Sequence, residues 1–198
     1  MFMGHFATAL VPYEKLAAKD AVEPSKKAAP FWIFLVGAQL LDFAMLLFVS
    51  LGVESFLPHD YHPIDTKFYN MQTDMWLTHD LIPVSFWAVG FAVVAFLLTR
   101  RLSVALWSFA LVVFHEVLDL LVGFKHYVNG ETSTEVGLAL YTQAPFIGLC
   151  IEVALCALIV WWFTSSRAAR GKPVSNRLKW ILYGTLVGGT LSTLPMAI

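Results

Sequence analysis

The sequence predicts an all-α membrane protein: a single transmembrane helical bundle over residues 1–198, with about five transmembrane helices plus a short N-terminal re-entrant or interfacial helix. Two observations carry this prediction. Only 14% of the 198 residues are charged and 58% are hydrophobic, against roughly 25% charged in soluble domains, so the polar coat that water demands is missing. Five windows also reach the roughly 20 apolar residues that a bilayer crossing needs: about 31–52, 76–98, 103–122, 144–164 and 178–197. Little chain remains for a second domain. The net charge of −1 provides no polybasic arm, which argues against nucleic acid as a partner.

Residues 1–13, MFMGHFATALVPY, are apolar but too short to cross a bilayer at about 1.5 Å per residue. They are expected to lie on the surface or dip part-way into the bundle, and they lack the positive start and small-residue cleavage pattern of a secretory leader. Residues 14–30 form a charged connection, with Pro30 at or just before the first turn of the first span. Residues 53–75 read as a loop rich in turn formers and acids, in which His59 and His62 are expected in solvent; His126, in the next such loop, is read the same way. The turn TRRLS is tight enough to make the second and third spans antiparallel neighbours.

Two prolines fall in apolar windows. Pro83 and Pro145 would remove the hydrogen bonds due to the carbonyls of His79 and Tyr141, and interrupted helices at membrane depth often line cavities. In the fifth window, Gly184 and Gly188 form a small-residue face suited to close packing inside the bundle or to a homodimer. Cys150 and Cys156 lie six residues apart on one predicted helix, about 9 Å along its axis and on different faces, so they cannot bridge each other.

Lys and Arg set the expected orientation. Lys15, Lys19, Lys26 and Lys27, then Arg100 and Arg101, then Arg167, Arg170, Lys172, Arg177 and Lys179 fall on one side, against only Lys67 and Lys125 on the other. This places the N-terminus in the cytoplasm and the C-terminus outside, in a bacterial inner membrane.

Function is written in the ionisable residues of the apolar windows. Asp42 lies mid-way along the first, His79 and Asp80 near the start of the second, His115, Glu116 and Asp119 near the end of the third, and Glu152 inside the fourth. Each costs several kcal/mol if it faces hydrocarbon alone, so a shared polar pocket is expected. His115 and Asp119 are spaced i, i+4 and project from one helix face. By helical rise all of these groups reach the outer half of the membrane, and a part-inserted N-terminal helix lifts His5 toward the same level. Histidine with carboxylate suits zinc, with manganese or iron next, better than calcium, in one or two ions. The expected ligands are His5, Asp42, His79, His115, Asp119 and Glu152. Asp80 and Glu116, each beside a ligand on its helix, are the candidate general bases.

These residues also carry a resemblance. Gly4-His5-Phe6-Ala7, Ala38-Gln39 with Asp42, Thr78-His79-Asp80, and His115 with Leu118-Asp119 occur in that order. Gly137-Leu138, Leu140-Tyr141, Pro145 and Glu152 follow. In order and spacing the chain resembles the bacterial family of membrane-bound metal-dependent hydrolases from His5 to about Trp162. The resemblance implies a helical membrane fold and a metal held much as in zinc-dependent phospholipases C. It implies hydrolysis of phospho- or acyl-ester, lipid-like substrates. The chain departs from the family pattern after the third span, where Gly123, Phe124, Lys125 and His126 replace a His-Arg-Pro-Asp run. Two other readings stand beside it: a non-catalytic subunit of a larger membrane complex on the same scaffold, with membrane-protein partners, and a b-type cytochrome using His79 and His115.

Overall fold

The computed structural model describes residues 2–20, 29–56 and 66–198; His59 and His62 lie outside them. The chain starts with α1 (Phe2–Thr8) and α2 (Leu10–Asp20), joined at Ala9. Long helices follow: α3 (Phe31–Ser50), α4 (Leu81–Thr99) and α5 (Leu102–Val122). A two-stranded antiparallel hairpin, β1 (His126–Tyr127) and β2 (Glu135–Val136), and the short α6 (Leu140–Gln143) lead into α7 (Pro145–Ala169). Among the described residues, α3, α4, α5 and α7 are long and apolar enough to cross a membrane.

The fifth window is helical in pieces. Helix α8 (Asn176–Leu182), capped by the Ser175 side chain on the Leu178 amide, widens into a π-helical stretch at Tyr183–Gly188. It then continues as α9 (Gly189–Leu191), turns, and ends in α10 (Leu194–Ala197). The unbroken run over 176–191 spans roughly 24 Å at α-helical rise, short of a ~30 Å hydrocarbon core. Three glycines in this stretch hold the α-helical backbone weakly, which accommodates the widened turn.

Neither proline interrupts a helix. Residues 76–80 form a turn, closed by the His79 amide on the Met75 carbonyl at 2.8 Å, so α4 begins at Leu81 and His79 precedes it. Pro83 therefore falls in the first helical turn, where an amide has no intrahelical partner to lose. Pro145 is the first residue of α7, a position that suits its fixed φ.

Packing fixes how the elements meet. Helix α5 lies between α3 and α4, and α4 and α5 are close antiparallel neighbours across a turn that Arg100 closes in the left-handed region at φ 54°. Gly37 of α3 admits the Phe91 ring of α4: a Cβ there would lie 2.7 Å from it. For helices that do cross a bilayer, lipid is as apolar as these side chains, so close packing and internal hydrogen bonds would hold them together.

Residues 2–20 run beside α7. Gly4 bonds Glu152 near the start of α7, and Glu14 pairs with Arg170 just past its end. Asp20 then pairs with Arg101 at 2.6 Å in the α4–α5 turn. The described amino end thus sits at the depth of Glu152, and it is the end of α2 that reaches the arginine-rich side.

Candidate metal centre

Four of the sequence-predicted ligands converge. Asp42 of α3, His79 ahead of α4, and His115 and Asp119 of α5 are all buried, and one donor atom from each lies within 4.8 Å of the others. The Nε2 of His115 is 3.4 Å from Asp119 Oδ2 and 3.8 Å from Asp42 Oδ1. The Nε2 of His79 is 3.7 Å from each of those oxygens. A tetrahedral ion with ligands at about 2.0–2.1 Å separates its donors by roughly 3.4 Å. This spacing suits a metal ion.

Hydrogen bonding fixes which nitrogen faces the cluster. The Nδ1 of His115 lies 2.8 Å from the Ala38 carbonyl, which can only accept, so Nδ1 carries the hydrogen. Thr78 Oγ1 lies 2.9 Å from both Glu54 oxygens and 2.8 Å from His79 Nδ1. Its one hydrogen goes to the carboxylate, so it accepts from Nδ1–H of His79. Both histidines therefore turn an Nε2 lone pair toward carboxylate oxygens. His115 Nε2 and Asp42 Oδ2 are buried without a hydrogen-bond partner, and α3, α4 and α5 contain no lysine or arginine. A cation between these groups would satisfy both orphaned atoms, so the donor set fits a metal.

His5 and Glu152 stand beside this group. His5, fully buried, places Nε2 3.1 Å from Asp119 Oδ1 and stacks on His115 with ring centroids 3.5 Å apart. Burial and the neighbouring His115 push His5 down to about 3, so it is neutral and donates to Asp119. Glu152 accepts from the Gly4 amide at 2.9 Å and from the Tyr141 hydroxyl. It lines a cavity of about 300 Å³ together with Asp42, His79 and Asp119.

The two candidate bases sit elsewhere. Asp80 accepts from the backbone amides of Tyr127 and Gly130, which pins the β1–β2 hairpin over the start of α4; burial raises its pKa against these hydrogen bonds. Glu116 Oε1 lies 3.1 Å from His126 Nδ1. Neither carboxylate lines the cavity.

Three participants were not among the expected ligands and bases. His126, expected in solvent, is 2% exposed and lines the cavity, with Nδ1 2.8 Å from the His79 carbonyl. Burial opposes its protonation, but Glu116 outweighs it and pushes His126 up to about 9. Glu54, just past α3, is buried and accepts from the Leu77 and Thr78 amides at 2.9 Å. Its pKa is raised by burial, against the hydrogen bonds from Thr78. Thr78 links it to His79. The only signal available was adjacency, since Thr78 precedes a predicted ligand.

Compared with family models, with curated proteins and with solved structures, the chain matches none.

Proposed function

We propose that this chain is an integral-membrane, metal-dependent hydrolase of phospho- or acyl-ester substrates. Asp42, His79, His115 and Asp119 seat a divalent ion, zinc first and manganese or iron next. The observation that carries the reading is the pair of imidazoles whose Nδ1 hydrogens are committed elsewhere, so that both Nε2 lone pairs point at shared carboxylates. When bound, such an ion supplies Lewis-acid polarisation of an ester oxygen and an acidified water.

The chain's own residues do the rest. Ala38 and the Glu54–Thr78 pair hold the two histidines in the ligating tautomer. His5 orients Asp119 from behind. Glu152 and His126 present polar groups to a reacting ester in the cavity, and Glu116 keeps the proton on His126 Nδ1. The resemblance of His5, Asp42, His115, Asp119 and Glu152 to the hydrolase family supports the same chemistry. The Lys and Arg distribution supports an inner-membrane location with the site toward the outer side.

Elemental analysis of detergent-purified protein tests this. Wild type should carry one or two equivalents of a transition metal, and His115→Ala and Asp42→Ala should lose it while keeping helical circular dichroism. Phosphodiester and ester substrates should then turn over only in the metal-loaded wild type. A helical but metal-free wild type would sink the hydrolase reading.

A further inference from the structure

The cavity beside the cluster is mostly apolar, with walls that include Met45, Phe68, Met75 and Phe124, and Ser192 and Thr193 add hydroxyls at one edge. Toward the loops, aromatic rings close it. Phe68 stacks on Tyr141 with centroids 4.4 Å apart, Phe124 lies 5.5 Å from Tyr141, and Phe56 packs edge-on against Phe124 at 5.5 Å. Phe68, Phe124 and Tyr141 are all buried.

The flank is different. Among the lining residues, Phe2 is 47% and Leu46 53% exposed. They mark the seam between α1 and α3, along which Phe2 packs on Phe6 and Phe6 on Phe43. Phe43 and Leu47, on the same stretch of α3, are also exposed. An opening with this rim, on a helix long and apolar enough to cross a bilayer, faces lipid chains. A water-soluble ester entering on this flank would meet apolar side chains first.

We infer that the cavity binds the acyl chain of a single-chain membrane ester, which reaches the cluster sideways from the bilayer between α1 and α3. The inference rests on the hydrolase reading for its chemistry but not for the binding itself. A volume of about 300 Å³ is at the small end of ligand sites. It takes one segment of such a molecule and leaves the rest in the membrane. Asp42 lies one helical turn before Leu46 on the same face of α3, so a chain passing Leu46 meets the first carboxylate about 6 Å further on.

The test uses full-length protein in phosphatidylcholine nanodiscs and a lysophosphatidylcholine with a mid-chain diazirine. After irradiation, labelled peptides are read by mass spectrometry. Label is expected on wall residues Met45, Met75 or Phe124. It should fall about tenfold in Leu46→Trp and in Met45→Trp, which crowd the mouth and the cavity respectively. Metal content and helicity in both variants should match wild type. A water-soluble diazirine ester with a four-carbon chain should leave these positions unlabelled. Label confined to the outward faces of α3 and α4, cavity label unchanged in both folded variants, or equal cavity label from the short probe would each overturn the inference. The two readings separate: metal-loaded protein without cavity label defeats the chain site alone, and metal-free protein with cavity label defeats the hydrolase alone.

Discussion

Glu14 and Asp42 are both carboxylates buried in one bundle, 2% and 8% exposed, and they are treated in opposite ways. Glu14 meets Arg170 and, at 3.7 Å, Arg167. Asp42 meets two neutral-capable imidazoles whose hydrogens point away from it. A buried acid that serves only architecture is given a permanent guanidinium, which cannot be deprotonated and reaches water past the end of α7. The acids at the other end are given adjustable partners in a place where no arginine is within reach on α3, α4 or α5. Burial of charge therefore does not by itself mark a site. Several buried carboxylates gathered around imidazoles, with no guanidinium or backbone amides to satisfy Asp42 Oδ2, do.

The sharpest way to break this comparison is to remove a guanidinium. Arg170→Met should leave Glu14 under-compensated and cost about 3 kcal/mol, as when a buried pair loses one partner. It should lower the thermal midpoint in detergent equally with and without a chelator, because that end needs no metal. An unchanged midpoint would show that Glu14 is held by other means and that the contrast with Asp42 is false.

A smaller effect sharpens the other side. Thr78→Val keeps the shape of the side chain but removes the acceptor for His79 Nδ1–H, while Glu54 retains the Leu77 and Thr78 amides. Metal affinity should fall about 10- to 100-fold, the usual weight of a partner that orients a ligand. Competitive titration against a chromophoric chelator measures it. Undiminished affinity would remove His79 from the ligand set.

The smallest effect concerns His126. Its pKa is raised from 6.5 to about 9, so its contribution to stability is fully present below about pH 6.5 and is lost as pH rises through 9. Between pH 6 and pH 10 the thermal midpoint of wild type should therefore fall further than that of His126→Gln, by a few degrees. Parallel curves would mean that the Glu116–His126 pair adds nothing to folding.

Much of this architecture was legible because lipid allows few exceptions. Asp42, His115, Asp119 and Glu152 stood out since an acid or imidazole inside an apolar run has nowhere to go but a shared interior, and that is where they lie. His79 was found for the same reason, although its position in a turn ahead of α4 was not, because nothing in WLTHDLIP marks where the turn ends and the helix begins. Glu54 and His126 were hidden by their surroundings. They belong to loops full of polar residues, where burial leaves no trace in local hydropathy and depends on how the hairpin and the turn at 76–80 fold back over the helix ends. Pro83 and Pro145 were misread because a proline disrupts a helix only past its first turn, and helix starts are the least defined feature of an apolar sequence. The fifth window satisfied composition but not continuity, which its glycines control.

The placement of α1 has a consequence for biogenesis. His5 finds Asp119 across 114 residues, and Gly4 finds Glu152 across 148. At translation rates of about 5–20 residues per second, the amino end waits roughly 10–30 s for the helix it docks on. Segment α1 is thus made early relative to its partners and settles only after they exist. Until α7 has been made, His5 and Glu152 cannot both be in place, and the centre stays incomplete.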